Sequence, residues 1–176
     1  MKKIILILLS ILTISSAVSK VELDAEVAEA IKTFNTEIIG GEQFLKKSKG
    51  YLIFPSVIKA GLVIGGEHGE GVLIENNKNL DKTYYSMTSA SIGLQAGVQQ
   101  TTYIIAFTSE KMLYNFKVSN GIEGAIDSSI AFVQWGKAKD ISSLSFEKPI
   151  IMFAFNQMGL MYNLNVKGTK FEQIEK

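Results

Sequence analysis

A chain of 176 residues with 47% hydrophobic and 20% charged side chains has the size of one domain and enough apolar material for a packed core, which excludes a disordered chain. Its 18 basic side chains are all lysine and face 17 acidic ones. That balance gives no basic face for nucleic acid and no arginine fork for bidentate phosphate binding. It contains no cysteine, so disulfides, thiolate-bound zinc, thiol catalysis and a lipid anchor on a cysteine of this chain are excluded as well.

Lys2 and Lys3 precede the apolar run Ile4 to Leu12, broken only by Ser10, and small residues follow at Ser15, Ser16, Ala17 and Ser19. This order predicts a secretory signal peptide over 1–19, cleaved after Ala17 or Ser19. The apolar run is shorter than the roughly 20 residues of a spanning helix. The expected destination is the periplasm or the membrane-associated cell envelope, with a single domain over 20–176. Loss of Lys2 and Lys3 leaves 16 lysines against 17 acidic residues.

Val21 to Asn35 places Leu23, Val27, Ala30, Ile31 and Phe34 at helical spacing, and Gly40 and Gly41 break the pattern. A second short helix is expected over Glu42 to Ser48, with Phe44 and Leu45 inward and Gly50 as its C-terminal cap. Tyr51 to Phe54 reads as a short strand stopped by Pro55. Leu62 to Ile64 and Val72 to Ile74 read as strands flanking a tight hairpin bend made of GGEHGEG, and Asn76 to Lys82 as a loop. Tyr84 to Thr88, the alternating Ser91 to Val98 and the continuously apolar Tyr103 to Phe107 are the next strands. A short helix then begins after Ser109, with Met112, Leu113 and Phe116 inward. Ser129 to Trp135, Ser142 to Phe146, Ile150 to Phe155 and Leu160 to Val166 complete the strands, with a turn over Asn156 to Gly159. The pattern predicts an α+β fold: a strongly curved, mainly antiparallel β-sheet or partial barrel, with N-terminal helices and one short inserted helix.

Chemistry-bearing residues are few. Lys46, Lys47, Lys49 and Lys59, beside Phe44, Tyr51 and Phe54, form a candidate headgroup-binding patch, since each lysine near an anionic membrane surface contributes about 1 kcal/mol. An ordinary solvated face is the plain alternative. Gly65, Gly66, Gly69 and Gly71 have the density of an anion nest, but Glu67 and Glu70 repel an anion and neither nucleotide-binding glycine motif is present, so a structural bend is favoured. His68, the single histidine, shares a face with Glu70 in an extended chain, and two ligands make a poor metal site. No G-x-S-x-G elbow accompanies His68, and the acid pairs Glu67/Glu70 and Glu123/Asp127 read as solvated charge. Trp135, Phe132, Phe153 and Phe155 alternate as core aromatics do, with a membrane-facing aromatic cluster as the alternative. No enzyme activity, metal or cofactor is expected.

One stretch carries a resemblance. FLKKSKGYLIFPSVIKAGLVIGGEHGEGVLI is similar to the opening of the SYLF lipid-binding domain, through Lys49, Gly50, Ile53, Phe54, Pro55, Lys59, Ala60, Gly61, Gly65, Gly66, Gly69 and Gly71. Downstream, Ser91, Gly93, Gln95, Gly97, Phe107 and Phe116 match that family's later strand and helix entry, while the chain from Asn120 onward follows the pattern loosely. The resemblance implies non-enzymatic binding to anionic phospholipid, peripheral to the membrane. The alternative kept beside it is an envelope structural module that recruits a protein partner through the N-terminal helix or a sheet edge.

Overall fold

The computed structural model describes residues 18–61, 64–77, 79–92, 97–119, 130–134, 141, 148–158 and 169–176. Helix α1 spans Lys20–Glu37, begins at Ser19, whose hydroxyl accepts from the Glu22 amide, and buries Leu23, Val27, Ala30 and Phe34. Gly40, at φ 84°, turns the chain into α2, Gly41–Lys47. A Cβ at Gly41 would stand 3.1 Å from the Phe34 ring, so the corner between the two helices needs glycine's missing side chain. The second helix stops at Lys47 with Ser48 extended; Gly50 is the first strand residue rather than its cap.

Seven strands follow among the described residues: β1 Gly50–Gly61, β2 Ile64–Glu75, β3 Lys82–Ile92, β4 Gly97–Phe107, β5 Ile130–Gln134, β6 Ile150–Met158 and β7 Lys170–Ile174. Helix α3, Glu110–Ser119, sits between β4 and β5 in the chain. They form one sheet in the order β5-β6-β4-β1-β2-β3-β7. Every neighbouring pair is antiparallel except β5 with β6. The end strands β5 and β7 do not pair with each other, so the fold is α+β with a curved, open sheet.

Apolar residues alternate between two cores, one on each face. The outer face packs Ile53, Val72, Ile104, Ile151 and Phe153 against α1 and α2. Phe153, the sequence-expected core aromatic, meets Phe34 at 4.9 Å and Phe44 at 5.4 Å between ring centroids. The inner face packs Leu52, Phe54, Tyr85, Ile105 and Met152 against Leu113 and Phe116 of α3. Phe116 lies 5.0 Å from Tyr85, 5.2 Å from Phe107 and 5.7 Å from Phe171. Strands β1 and β7 are three positions apart, about 14 Å in a flat sheet, yet Phe54 and Phe171 approach to 5.8 Å. The sheet therefore curls around its inner core.

Several expected boundaries move. Pro55 does not end the first strand: β1 runs through it, and the pairing slips there against both neighbours. Phe54 and Pro55 face the single residue Gly71 on one side, and Pro55 and Ser56 face Thr102 on the other. This is a β-bulge, the place inside a sheet where a residue without an N–H is tolerated. GGEHGEG is not a bend; it lies within β2, whose pairing with β1 runs to Gly61 and Gly65, the turn end of the sheet, and residues 62 and 63 of the expected strand lie outside the described residues. Of the expected strand Ser91–Val98, the first two residues end β3, the last two open β4, and 93–96 lie outside the described residues. Asn156 to Met158 continue β6. The expected strands at 142–146 and 160–166 lie outside the described residues, as do Trp135, Glu123 and Asp127.

Candidate functional site

The bulge decides where the charges of β1 go. Before it, even-numbered Leu52 and Phe54 point inward; after it, odd-numbered Val57 and Lys59 do. One extra residue reverses the alternation. Lys59 is thereby buried, and Ile58, which an unbroken strand would bury, is 42% exposed. Lys59 pairs in register with Glu67 on β2 and Gln99 on β4, and Glu67 pairs with Ser89 on β3. All four are buried, so a polar row crosses the inner face near the β1–β2 turn. Lys59 Nζ stands 2.7 Å from Glu67 Oε1. Tyr103, two residues beyond Thr101 on the same face, is pushed well above the usual phenol range by burial and then by the Glu67 charge.

The opposite end of β1 holds the other lysines. Along an extended strand, ten residues span about 33 Å, so Lys59 is not brought together with Lys46, Lys47 and Lys49. Lys46 reaches Glu42 Oε1 at 2.6 Å on α2. The hydrogen bond from Lys46, and then its charge, hold the Glu42 carboxyl below its usual value. Lys47 is exposed. Lys49 pairs with Glu110 at 3.0 Å and Lys117 with Glu75 at 2.5 Å, across a cleft of about 340 Å³ that also includes Asn76 and Tyr114. Asn76 Nδ2 donates to Leu45 O at 2.6 Å and Ser48 O at 2.9 Å, fixing the lysine-bearing corner to the end of β2. Of Lys46, Lys47, Lys49 and Lys117, all but Lys47 face carboxylates, which dilutes their field.

Among the described residues, no helix packs on the outer face at the turn end, and its first row carries no charge. Val98, Ala60, Gly66 and Ala90 lie side by side in register across β4, β1, β2 and β3, and all are exposed, Val98 at 70%. The next row is Gln100, Ile58, His68 and Thr88, and it continues onto β7 at the exposed Lys170. Residues 83–109, which hold most of β3 and all of β4, include no charged side chain, and neither does 60–66. Sequence reasoning missed this surface because it treated each strand alone; the signal was the length of that charge-free run.

His68 is exposed, its Nδ1 3.3 Å from Thr88 Oγ1, and Glu70 beside it is taken by Lys176. No group of three or more metal-ligating side chains occurs among the described residues. Two glycines of β2 serve packing: a Cβ at Gly71 would lie 2.3 Å from Ile53 O, and one at Gly69 would lie 2.7 Å from Val57 Cγ2. No described helix is long and apolar enough to cross a membrane. No protein-family model matches the chain, and no curated protein matches it.

Proposed function

We propose that this chain is a non-enzymatic phospholipid-binding domain of the cell envelope that attaches peripherally to the bilayer through the turn end of its sheet. The observation that carries this reading is the exposed, charge-free row Val98–Ala60–Gly66–Ala90 with Ile58 behind it. Charged side chains are costly in the bilayer and apolar ones are not, so an exposed row without charge is suited to enter the headgroup boundary. The likeness of residues 49–71 to SYLF domains supports the same class of ligand. Lys46, Lys47 and Lys49 sit at the other end, so they add headgroup attraction only if the domain also lies on its side. As for recruitment of a protein partner, α1 spends its apolar stripe on its own sheet, which leaves a sheet edge as the route.

Co-sedimentation with vesicles tests the proposal. Binding to vesicles that contain anionic lipid is expected to persist in high salt and to fall at least tenfold in the Ile58→Asp/Val98→Asp double variant. Loss in high salt, together with loss on charge reversal of the three lysines, would move the contact to the lysine end. Absence of binding to both neutral and anionic vesicles would sink the function itself.

A further inference from the structure

The N-terminal end of α1 is held by a largely buried ion pair. Glu70 Oε2 lies 2.6 Å from Lys176 Nζ, and the two side chains are 14% and 8% exposed. The same carboxylate oxygen accepts from the backbone N of Val18 at 3.2 Å, and the Val18 carbonyl accepts from Lys176 Nζ. The Val18 side chain packs against the outer core. One residue later, Ser19 caps α1. The fold thus uses Val18 in three ways, through its amide, its carbonyl and its side chain, and the residue after it caps the helix.

Sequence leaves two processing sites open, because both Ser15-x-Ala17 and Ala17-x-Ser19 place small residues at the two positions a signal peptidase reads. Cleavage after Ser19 would remove the helix cap, the Val18 packing and two partners of the Glu70–Lys176 pair. Cleavage after Ala17 keeps all of them. It also turns the Val18 amide into an α-amino group, protonated at neutral pH, facing a carboxylate already in place.

We infer that the chain is cut between Ala17 and Val18, and that Glu70 is the receptor for the new N-terminal ammonium. Hydrolysis consumes one water: the Ala17 carbonyl becomes the carboxylate of the released peptide, and the Val18 nitrogen becomes the ammonium. A charged donor in a half-buried site forms a stronger hydrogen bond than the amide it replaces. Glu70 then bridges Val18 and Lys176, joining the first turn of α1, the middle of β2 and the segment after β7. This inference stands independently of the lipid ligand.

The test uses the full chain, exported from a bacterial host and purified from its envelope fraction. Intact-mass and N-terminal peptide analysis should show a mature chain beginning at Val18. A start at Lys20, or an uncut chain, overturns the inference. Acetylation confined to the α-amine of the mature protein should lower its melting temperature by about 3 °C, and the decrease should vanish in Glu70→Gln. An equal decrease in both proteins would show that Glu70 is not the receptor. Should Glu70→Gln fail to accumulate, an α-amine in the native protein as reactive towards acylation as that of the unfolded chain would overturn the pairing by itself.

Discussion

Gly71→Ala is the substitution for which the structure gives the sharpest expectation. Its Cβ would stand 2.3 Å from Ile53 O and 2.6 Å from Phe54 Cδ1, where ordinary contact begins at about 3.4 Å. The carbonyl would have to retreat by about 1 Å, and it belongs to the strand beside the bulge, where both neighbours fix the backbone. The Phe54 ring cannot yield freely either, because it packs on Phe171. Overpacking of this kind costs up to about 3 kcal/mol, or a melting temperature lower by about 10 °C for a chain of this size. Gly66→Ala is the matched control in the same strand. The nearest atom to its Cβ is Ser89 O at 3.7 Å, and its φ is not positive, so the change should stabilise by about 0.5 kcal/mol through the unfolded chain. Urea unfolding followed by circular dichroism separates the two. If both variants fall within about 1 kcal/mol of each other, the close approach at the bulge is not what requires glycine.

Three further outcomes are expected. Burial, and then the Glu67 charge, raise the Tyr103 phenol above its unfolded value of 10.0, and burial, followed by the Glu75 charge, does the same at Tyr85. The native state therefore holds protons that the unfolded chain releases, and stability should stay level below pH 10 and fall as pH rises beyond it; urea midpoints from pH 8 to 11 should show the drop, and Tyr103→Phe should flatten it. Lys59→Met strands Glu67 in a site where its side chain is 5% exposed, and should cost about 3–5 kcal/mol by the same assay. Charge reversal of Lys46, Lys47 and Lys49 together should change stability by less than about 1 kcal/mol, since these pairs are solvated, so any loss of vesicle binding it produces reports on contact rather than folding.

The helices were legible because their signals are local. Leu23, Val27 and Phe34 repeat at helical spacing, and the core receives them as that spacing predicts. The apolar β strands and the curvature of the sheet were legible for the same reason. What failed was everything set by pairing. Pro55 reads as a strand end in one dimension, but in the sheet it occupies a bulge flanked by two partners. The glycines after it read as a bend, because their reason for being glycine lies on the neighbouring strand, at Ile53, Phe54 and Val57. Lys59 looked like a surface charge because its inward turn depends on a residue inserted four positions earlier. No period-two pattern survives such a phase reversal, so a lysine drawn into the interior was grouped with those outside.

The buried pair at the turn end raises a question that energy alone does not answer. A buried ion pair is often no more stable than apolar residues of similar size, so Lys59 and Glu67 need another reason to be there. The helices pack at the far end of the sheet, and at the turn end the outer face is exposed. Small residues such as Gly61, Gly65, Gly66 and Ala60 give little side-chain interlocking, and strands of this kind slip in register. A one-residue slip of β1 against β2 would set Lys59 opposite Gly66 or His68 and leave Glu67 buried without it, a penalty of several kcal/mol that an apolar pair would not impose. We predict that Lys59→Met/Glu67→Met recovers most of the stability lost in Lys59→Met alone, yet loses the single register. Amide hydrogen exchange should then be faster at Ile58, Lys59 and Ala60 while protection at Leu52 and Ile53 is unchanged. Full protection of the turn end in the double variant would show that the bulge and Gly71 fix the register alone, and that the ion pair has some other role.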